Sequence, residues 1–453
     1  MTAIAYTTPE IPLILAVSSF LYLISVAEAV FARFIHAGLL GPLCIGILYG
    51  SEVSGILPDA LQSTCITLGY IGLLLIVFEA GLSTNISLLF DNILLSCAVA
   101  VSGMALPVAL SMLLLHFGYR YSPLQAFAAG AALSSTSLGT TLTVLKPAYR
   151  GTRTGTVLMA AALLDDIGGL VIAAILAQLS AYGATAIPWY VVARPILVSF
   201  GFAVGVPVLA VASRWVLRRG VGAGLRAPGA QLFVVVATLA GFVAGAKYAG
   251  TSELFGAYLA GAYLTYVFSA PTDAPAPIRA FQDHIAPLVQ SLLAPLFFAS
   301  IGSALPIRSL GAVDGSHRVV WRGLIYALLM GAAKALVGLW MLVWPDRGAG
   351  RGWFGRRVAR GTRDEDGDVT PPTAPAPDFT PTRSALLVGL AMIARGEIAL
   401  MVAEIARPLL GIAAPGDAAE PFAVVMWATL LNTAGGAILV GVLLRERKSR
   451  VDD

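Results

Sequence analysis

Leu163-Leu164-Asp165-Asp166-Ile167-Gly168-Gly169 places two neighbouring carboxylates in the middle of an apolar run from about Thr156 to Leu179. A run of that length crosses the roughly 30 Å hydrocarbon core of a bilayer. Ionisable groups at membrane depth are costly to keep and are functional candidates by default. The competing reading is a buried pair satisfied by neighbouring hydroxyls, but two mid-bilayer carboxylates are an expensive way to fill packing space. Asp165 and Asp166 are therefore read as the place where a cation and protons compete.

The rest of the chain supplies the membrane. Of 453 residues, 58% are hydrophobic and 12% charged, about half the charged share of a soluble domain. Apolar runs predict an all-α polytopic membrane protein with thirteen spans, near 11–31, 35–52, 63–82, 92–116, 124–145, 153–180, 188–217, 229–248, 252–270, 284–304, 319–344, 384–409 and 421–444. Several are rich in Gly and Ala, as closely packed membrane helices are. The net charge of +4 does not point to nucleic acid, because the basic residues fall in short loops between spans. Cys44, Cys65 and Cys97 lie in or beside apolar segments without a CxxC spacing, which predicts neither a disulfide framework nor a metal site. No cofactor is expected.

Orientation follows from Lys and Arg. One set of alternate loops plus the C-terminus carries twenty of them and the other set carries five. The richer side is expected to be cytoplasmic, with residues 1–10 outside and a short cytoplasmic tail at 445–453. The first ten residues lack a basic n-region, so the first span reads as retained rather than cleaved. Asn85-Ile86-Ser87 is a glycosylation sequon that this topology puts on the cytoplasmic side. The long connection 345–383 runs from an Arg/Gly-rich part through Asp364-Glu365-Asp366-Gly367-Asp368 into a proline-rich part, and reads as a disordered cytoplasmic insert.

Four spans break their apolar character close to mid-depth, each roughly 11 to 16 residues from its start. The fifth holds Ser134-Ser135-Thr136-Ser137-Leu138-Gly139-Thr140-Thr141, the sixth Asp165 and Asp166, the eleventh Lys334, and the twelfth Ala394-Arg395-Gly396-Glu397. Spans five and twelve run in opposite directions and both contain a plausible helix break, an arrangement that brings half-helix ends to the midplane. A weak internal echo, Leu163–Gly169 against Leu430-Leu431-Asn432-Thr433-Ala434-Gly435-Gly436, fits an inverted repeat. Adjacent helix residues point about 100° apart, so the two aspartates face different partners. Asp165 is expected to pair with Lys334 and Asp166 to face a water-filled cavity.

These residues resemble the monovalent cation:proton antiporter superfamily, the sodium/hydrogen exchanger family. The resemblance is carried by Ser134–Ser137, the Leu164-Asp165-Asp166-Ile167-Gly168-Gly169-Leu170 stretch, Pro295-Leu296-Phe297-Phe298-Ala299-Ser300-Ile301-Gly302, Lys334 and Ala394–Glu397, in that order. It implies a sodium/proton antiporter fold of thirteen spans with inverted repeats and two discontinuous crossing helices, working by an elevator motion as a homodimer. It also implies a dimerisation scaffold from 11–90 and 229–305, a core transport domain from 92–180, 319–344 and 384–444, and a linker helix at 188–217. Carried over by resemblance, Asp166 is the cation and proton carboxylate, Asp165 its partner, Lys334 the salt-bridge lysine and Thr136 the hydroxyl at the first break. Ser135, Ser137, Arg395 and Glu397 support the breaks. Asp165 together with Lys334 resembles the electrogenic branch, whereas Glu79 in Phe78-Glu79-Ala80-Gly81-Leu82 looks more like the electroneutral one.

The expected partners are H+ with Na+ or Li+, or K+, within a lipid bilayer. Each supporting residue also has a bland reading: Lys334 as a mere neutraliser, Thr136 as a packing residue, Arg395 and Glu397 as a structural clamp. An intramembrane aspartyl protease needs its carboxylates on facing helices, and here they are adjacent. A sodium-coupled solute symporter with related broken helices is the alternative that stays open.

Overall fold

A computed structural model describes residues 8, 10–34, 37–83, 92–136, 152–182, 188–219, 228–268, 277–305, 307–313, 317–344, 380–411 and 420–449. Ser137, nearly all of the 345–383 insert and most of residues 1–10 lie outside the described residues. Within them the chain is all-helical, without a strand.

Nine of the described helices are long and apolar enough to cross a membrane. The other four expected spans take shorter forms. The 35–52 span is the ten-residue helix Leu40–Tyr49, and 252–270 is the sixteen-residue helix Glu253–Phe268. The 124–145 span begins as the ten-residue helix Pro123–Ala132. The 384–409 span is two helices, Pro381–Ala391 and Glu397–Ile405, with a break between them.

In chain order the longer helices are α1 (Ile11–Phe34), α2 (Leu40–Tyr49), α3 (Asp59–Leu82), α4 (Ile93–Ser111, prolonged by the π-helical Met112–Gly118), α5 (Pro123–Ala132), α6 (Arg153–Tyr182) and α7 (Trp189–Arg218). There follow α8 (Pro228–Ala249), α9 (Glu253–Phe268), α10 (Ala294–Ala304, entered through the π-helical Val289–Leu293), α11 (Arg318–Val337), α12 (Pro381–Ala391), α13 (Glu397–Ile405) and α14 (Glu420–Ser449). Helices α4, α5, α6, α11, α12, α13 and α14 pack chiefly on one another. So do α1, α2, α3, α8, α9 and α10, and α7 lies against both α6 and α9. Large apolar side chains on α1, α7 and α8, such as Leu15, Tyr22, Phe200, Val208 and Phe233, are exposed, as faces turned to lipid would be.

Apolar side chains gain nothing by leaving lipid for one another, so close helix pairs in membranes rely on small residues that let backbones touch. Three such seams are built from reciprocal glycines. A Cβ on Gly46 would lie 2.0 Å from the Ala299 carbonyl oxygen, and one on Gly302 2.2 Å from that of Leu43, which joins α2 to α10. Gly81 and Gly261 do the same for α3 and α9, against Tyr258 and Phe78. A Cβ on Gly338, at the end of α11, or on Gly389 of α12 would run into the carbonyl oxygen of Ala385 or Ala335. By contrast, a Cβ on Gly241 or Gly245 of α8 would meet nothing within 4 Å.

Gly338→Ala and Gly389→Ala are each expected to destabilise the protein by about 1–3 kcal/mol through overpacking, whereas Gly241→Ala and Gly245→Ala are expected to be neutral or mildly stabilising. Thermal unfolding of the purified protein in detergent checks this, and equal midpoints for the two sets would refute the seam.

Candidate functional site

Two helix ends frame the site. Helix α5 starts from a capping box in which Ser122 Oγ accepts from the Gln125 N–H at 3.2 Å and Gln125 Oε1 accepts from the Ser122 N–H at 3.0 Å. It stops at Ala132, and Leu133–Thr136 leave the helix through a turn into irregular chain. Helix α12 stops at Ala391, and the chain re-enters a helix at Glu397 after an extended Gly396. Backbone groups at such ends have lost their intrahelical partners and need others. Here the two ends serve each other. Arg395 Nη1 donates to the Ser135 carbonyl at 2.6 Å, and Thr136 Oγ1 donates to the Met392 carbonyl at 3.3 Å.

Asp165 stands on α6 beside these ends. Its Oδ2 is 2.7 Å from Lys334 Nζ of α11, with neither side chain exposed. The ammonium also donates to Thr136 Oγ1 at 2.8 Å, so one hydroxyl links the ion pair to the second break. Helix α4 makes room for the pair, because a Cβ on Gly103 would lie 3.4 Å from Lys334 Nζ and 3.9 Å from Asp165 Oδ1. Asp166 is 7% exposed and accepts from Ser135 Oγ at a long 3.5 Å. The two aspartates thus serve different partners, as their 100° separation requires.

The charge arrangement leaves capacity unused. Asp165 Oδ1 makes no hydrogen bond among the described residues, nor do Nε and Nη2 of the fully buried Arg395. Two carboxylates, an ammonium and a guanidinium share a buried interior, where effective dielectric is low and each charge is felt strongly by the others. Buried charges persist only when paired, and removing one partner of a buried pair costs about 3–5 kcal/mol. Carboxylate oxygens beside hydroxyl and carbonyl oxygens are hard ligands suited to a small, partly dehydrated cation.

Of the residues singled out from sequence, Asp165, Asp166, Ser135, Thr136, Lys334 and Arg395 come together here. Ser137 lies outside the described residues, and Glu397 opens α13 but its side chain is not described. Glu79 stands elsewhere, half-buried on α3, where its carboxylate accepts from Gln290 Nε2 at 3.1 Å. Three participants carried no usable sequence signal. The Met392 carbonyl is backbone, Gly103 is one glycine among 47, and the buried Ser111–Tyr326 hydrogen bond of 2.6 Å joins α4 to α11 across 215 positions.

This fold is found in solved antiporters. Two structures of the sodium proton antiporter MjNhaP1 from Methanocaldococcus jannaschii superpose with TM-scores of 0.66 and 0.60, each at 16% identity; the first covers 96% of this chain and 99% of that one. The architecture is thus a sodium/proton antiporter fold. The family model for the sodium/hydrogen exchanger, transmembrane, matches residues 17–446, and the chain belongs to that family. Its members are exchangers, not enzymes.

Similar proteins include NhaS3, a high-affinity Na+/H+ antiporter of Synechocystis sp., 32% identical over 145 residues that make up 30% of this chain and 31% of that protein. From Bacillus cereus come GerT, a probable Na+/H+ antiporter, and GerN, a Na+/H+-K+ antiporter. Each is 24% identical over 81% of this chain, covering 83% and 80% of their own lengths.

The Asp165–Lys334 pair makes a double-mutant cycle informative. Lys334→Met alone is expected to destabilise by about 3–5 kcal/mol, because it strands a buried carboxylate. Asp165→Asn combined with Lys334→Met is expected to recover much of that loss. Thermal unfolding of the purified variants reads the result, and strictly additive losses would refute a coupled pair.

Proposed function

We propose that the protein is a secondary antiporter that exchanges a monovalent cation for H+, with cation and protons competing for Asp166. The observation that supports this best is the buried Asp165–Lys334 pair beside Asp166, at two tied helix ends, in a chain of the sodium/hydrogen exchanger family. In this reading Asp166 carries the load and Ser135 supports it. Asp165 is the switchable partner of Lys334, and Thr136 relays between the ion pair and the second break. Arg395 and Glu397 hold that break. Competition for one carboxylate is enough for exchange, provided the site opens to one side at a time.

The cations are Na+ or Li+, with K+ also admitted, as the name of the relative GerN suggests. The helices that pack together as α4, α5, α6 and α11–α14 form a mobile core, and α1–α3 with α8–α10 form a scaffold through which two copies pair. The core moves against the scaffold as an elevator, α7 links the two, and the N-terminus lies outside with the C-terminus in the cytoplasm. A charged Lys334 opposite Asp165 favours an electrogenic cycle of two protons per cation. Glu79, hydrogen-bonded within the scaffold, lines the cavity rather than holding the ion. The second reading, a sodium-coupled solute symporter with related broken helices, requires an organic solute to drive ion movement.

Proteoliposomes with a trapped pH dye distinguish these. Adding Na+, Li+ or K+ is expected to move protons without any organic solute, and no cation-dependent proton movement would overturn the proposal. Asp166→Asn is expected to bring exchange to background; full activity would overturn its assignment. Lys334→Gln is expected to exchange without generating current, whereas persistent current would remove the lysine from the electrogenic step.

A further inference from the structure

The two echoing segments make matching contacts. Gly169 brings α6 onto the first break, where its Cβ position lies 3.1 Å from Ser135 Cβ; Gly436 brings α14 onto the second, 2.5 Å from the Ala394 nitrogen. One helical turn before each glycine stands a buried polar residue, Asp165 on α6 and Asn432 on α14. Asp165 holds Lys334. Asn432 is 6% exposed, and its Nδ2 makes no hydrogen bond among the described residues. Its Oδ1 lies 3.1 Å from the Cβ position of Gly331. Gly331 precedes Lys334 by three residues on α11, and long helical side chains lean back over the turn that precedes them. The missing side chain at position 331 lets the amide oxygen come up against that turn.

A cation that takes the oxygens of Asp165 and Asp166 competes with the ammonium already seated there. A polar group displaced into dry surroundings is costly unless an acceptor receives it. The other buried hydroxyls nearby already bond within the protein. Ser111 and Tyr326 bond each other, while Thr429 and Thr433 donate to carbonyls of their own helix. Asn432 sets its amide oxygen against the turn that precedes Lys334, while its Nδ2 makes no hydrogen bond among the described residues. We propose that Asn432 is a positioning residue that offers Lys334 a second seat, its Oδ1 accepting the ammonium when the cation occupies the aspartates. The inference rests on the exchange reading and adds to it where the lysine goes.

Equilibrium Na+ and K+ binding to the purified full chain at one fixed pH tests it, without requiring transport. Asn432→Leu removes the second seat and is expected to weaken cation binding about fivefold, the worth of one hydrogen bond. Asn432→Asp offers a stronger seat and is expected to tighten binding. Both changes are expected to vanish when Lys334→Gln is added. Shifts in the same direction, or an Asn432→Asp gain that persists without the lysine, would overturn the second seat. A wild-type protein that binds neither cation and moves no protons fails the exchange reading itself. One that exchanges normally but lacks the opposed shifts fails this inference alone.

Discussion

A carboxylate and an ammonium 2.7 Å apart, with no exposed surface on either side chain, constrain everything placed around them. Neither charge can stay in such a position alone, so α6 and α11 must be held in a register that keeps them in contact. The ammonium has donors to spare, and one reaches Thr136, which passes the link to the Met392 carbonyl. Two interrupted helices are thereby tied to one ion pair through a single hydroxyl. Arg395 returns the tie in the other direction by donating to Ser135, the residue whose hydroxyl faces Asp166. Changing the partner of either aspartate therefore disturbs both helix ends.

Much of this was legible in the residues, for physical reasons. Charges are so costly at membrane depth that Asp165, Asp166, Lys334 and Arg395 stand out against their apolar surroundings, and their similar depth anticipates their meeting. The Arg395-Gly396 break was visible because an arginine and a glycine interrupt an otherwise apolar helix. What stayed hidden depends on neighbours far away in the chain. Nothing in the letters separates Gly103, which faces the ion pair, from Gly241, which faces open space. Glu79 was singled out through the resemblance of Phe78-Glu79-Ala80-Gly81-Leu82, and its bond to Gln290, between α3 and the entry to α10, could not be read from those letters. Asn432 was present in the internal echo, but an amide costs less to bury than a charge and attracts less notice.

The solved structures of this fold sharpen that contrast. A fold shared over nearly the whole chain at 16% identity means that very different side chains satisfy one packing plan. The plan needs small residues where backbones touch and apolar residues where lipid is met, and many sequences provide both. The site has fewer solutions, because charge, hydroxyl and helix end must coincide within hydrogen-bond distance.

The seam formed by Gly338 and Gly389 has a mechanical consequence. Backbone resting on backbone has no rotamers to adjust, so α11 and α12 behave as one stiff beam across that contact. Lys334 rides on the same beam as the break that follows α12, and sliding of one helix past the other cannot separate them. The freedom that remains belongs to the lysine side chain, four torsions that reorient in nanoseconds or faster where space allows. In the proposed cycle, slow and large displacements would carry this beam as a unit, and the lysine's change of partner would be a local rotation.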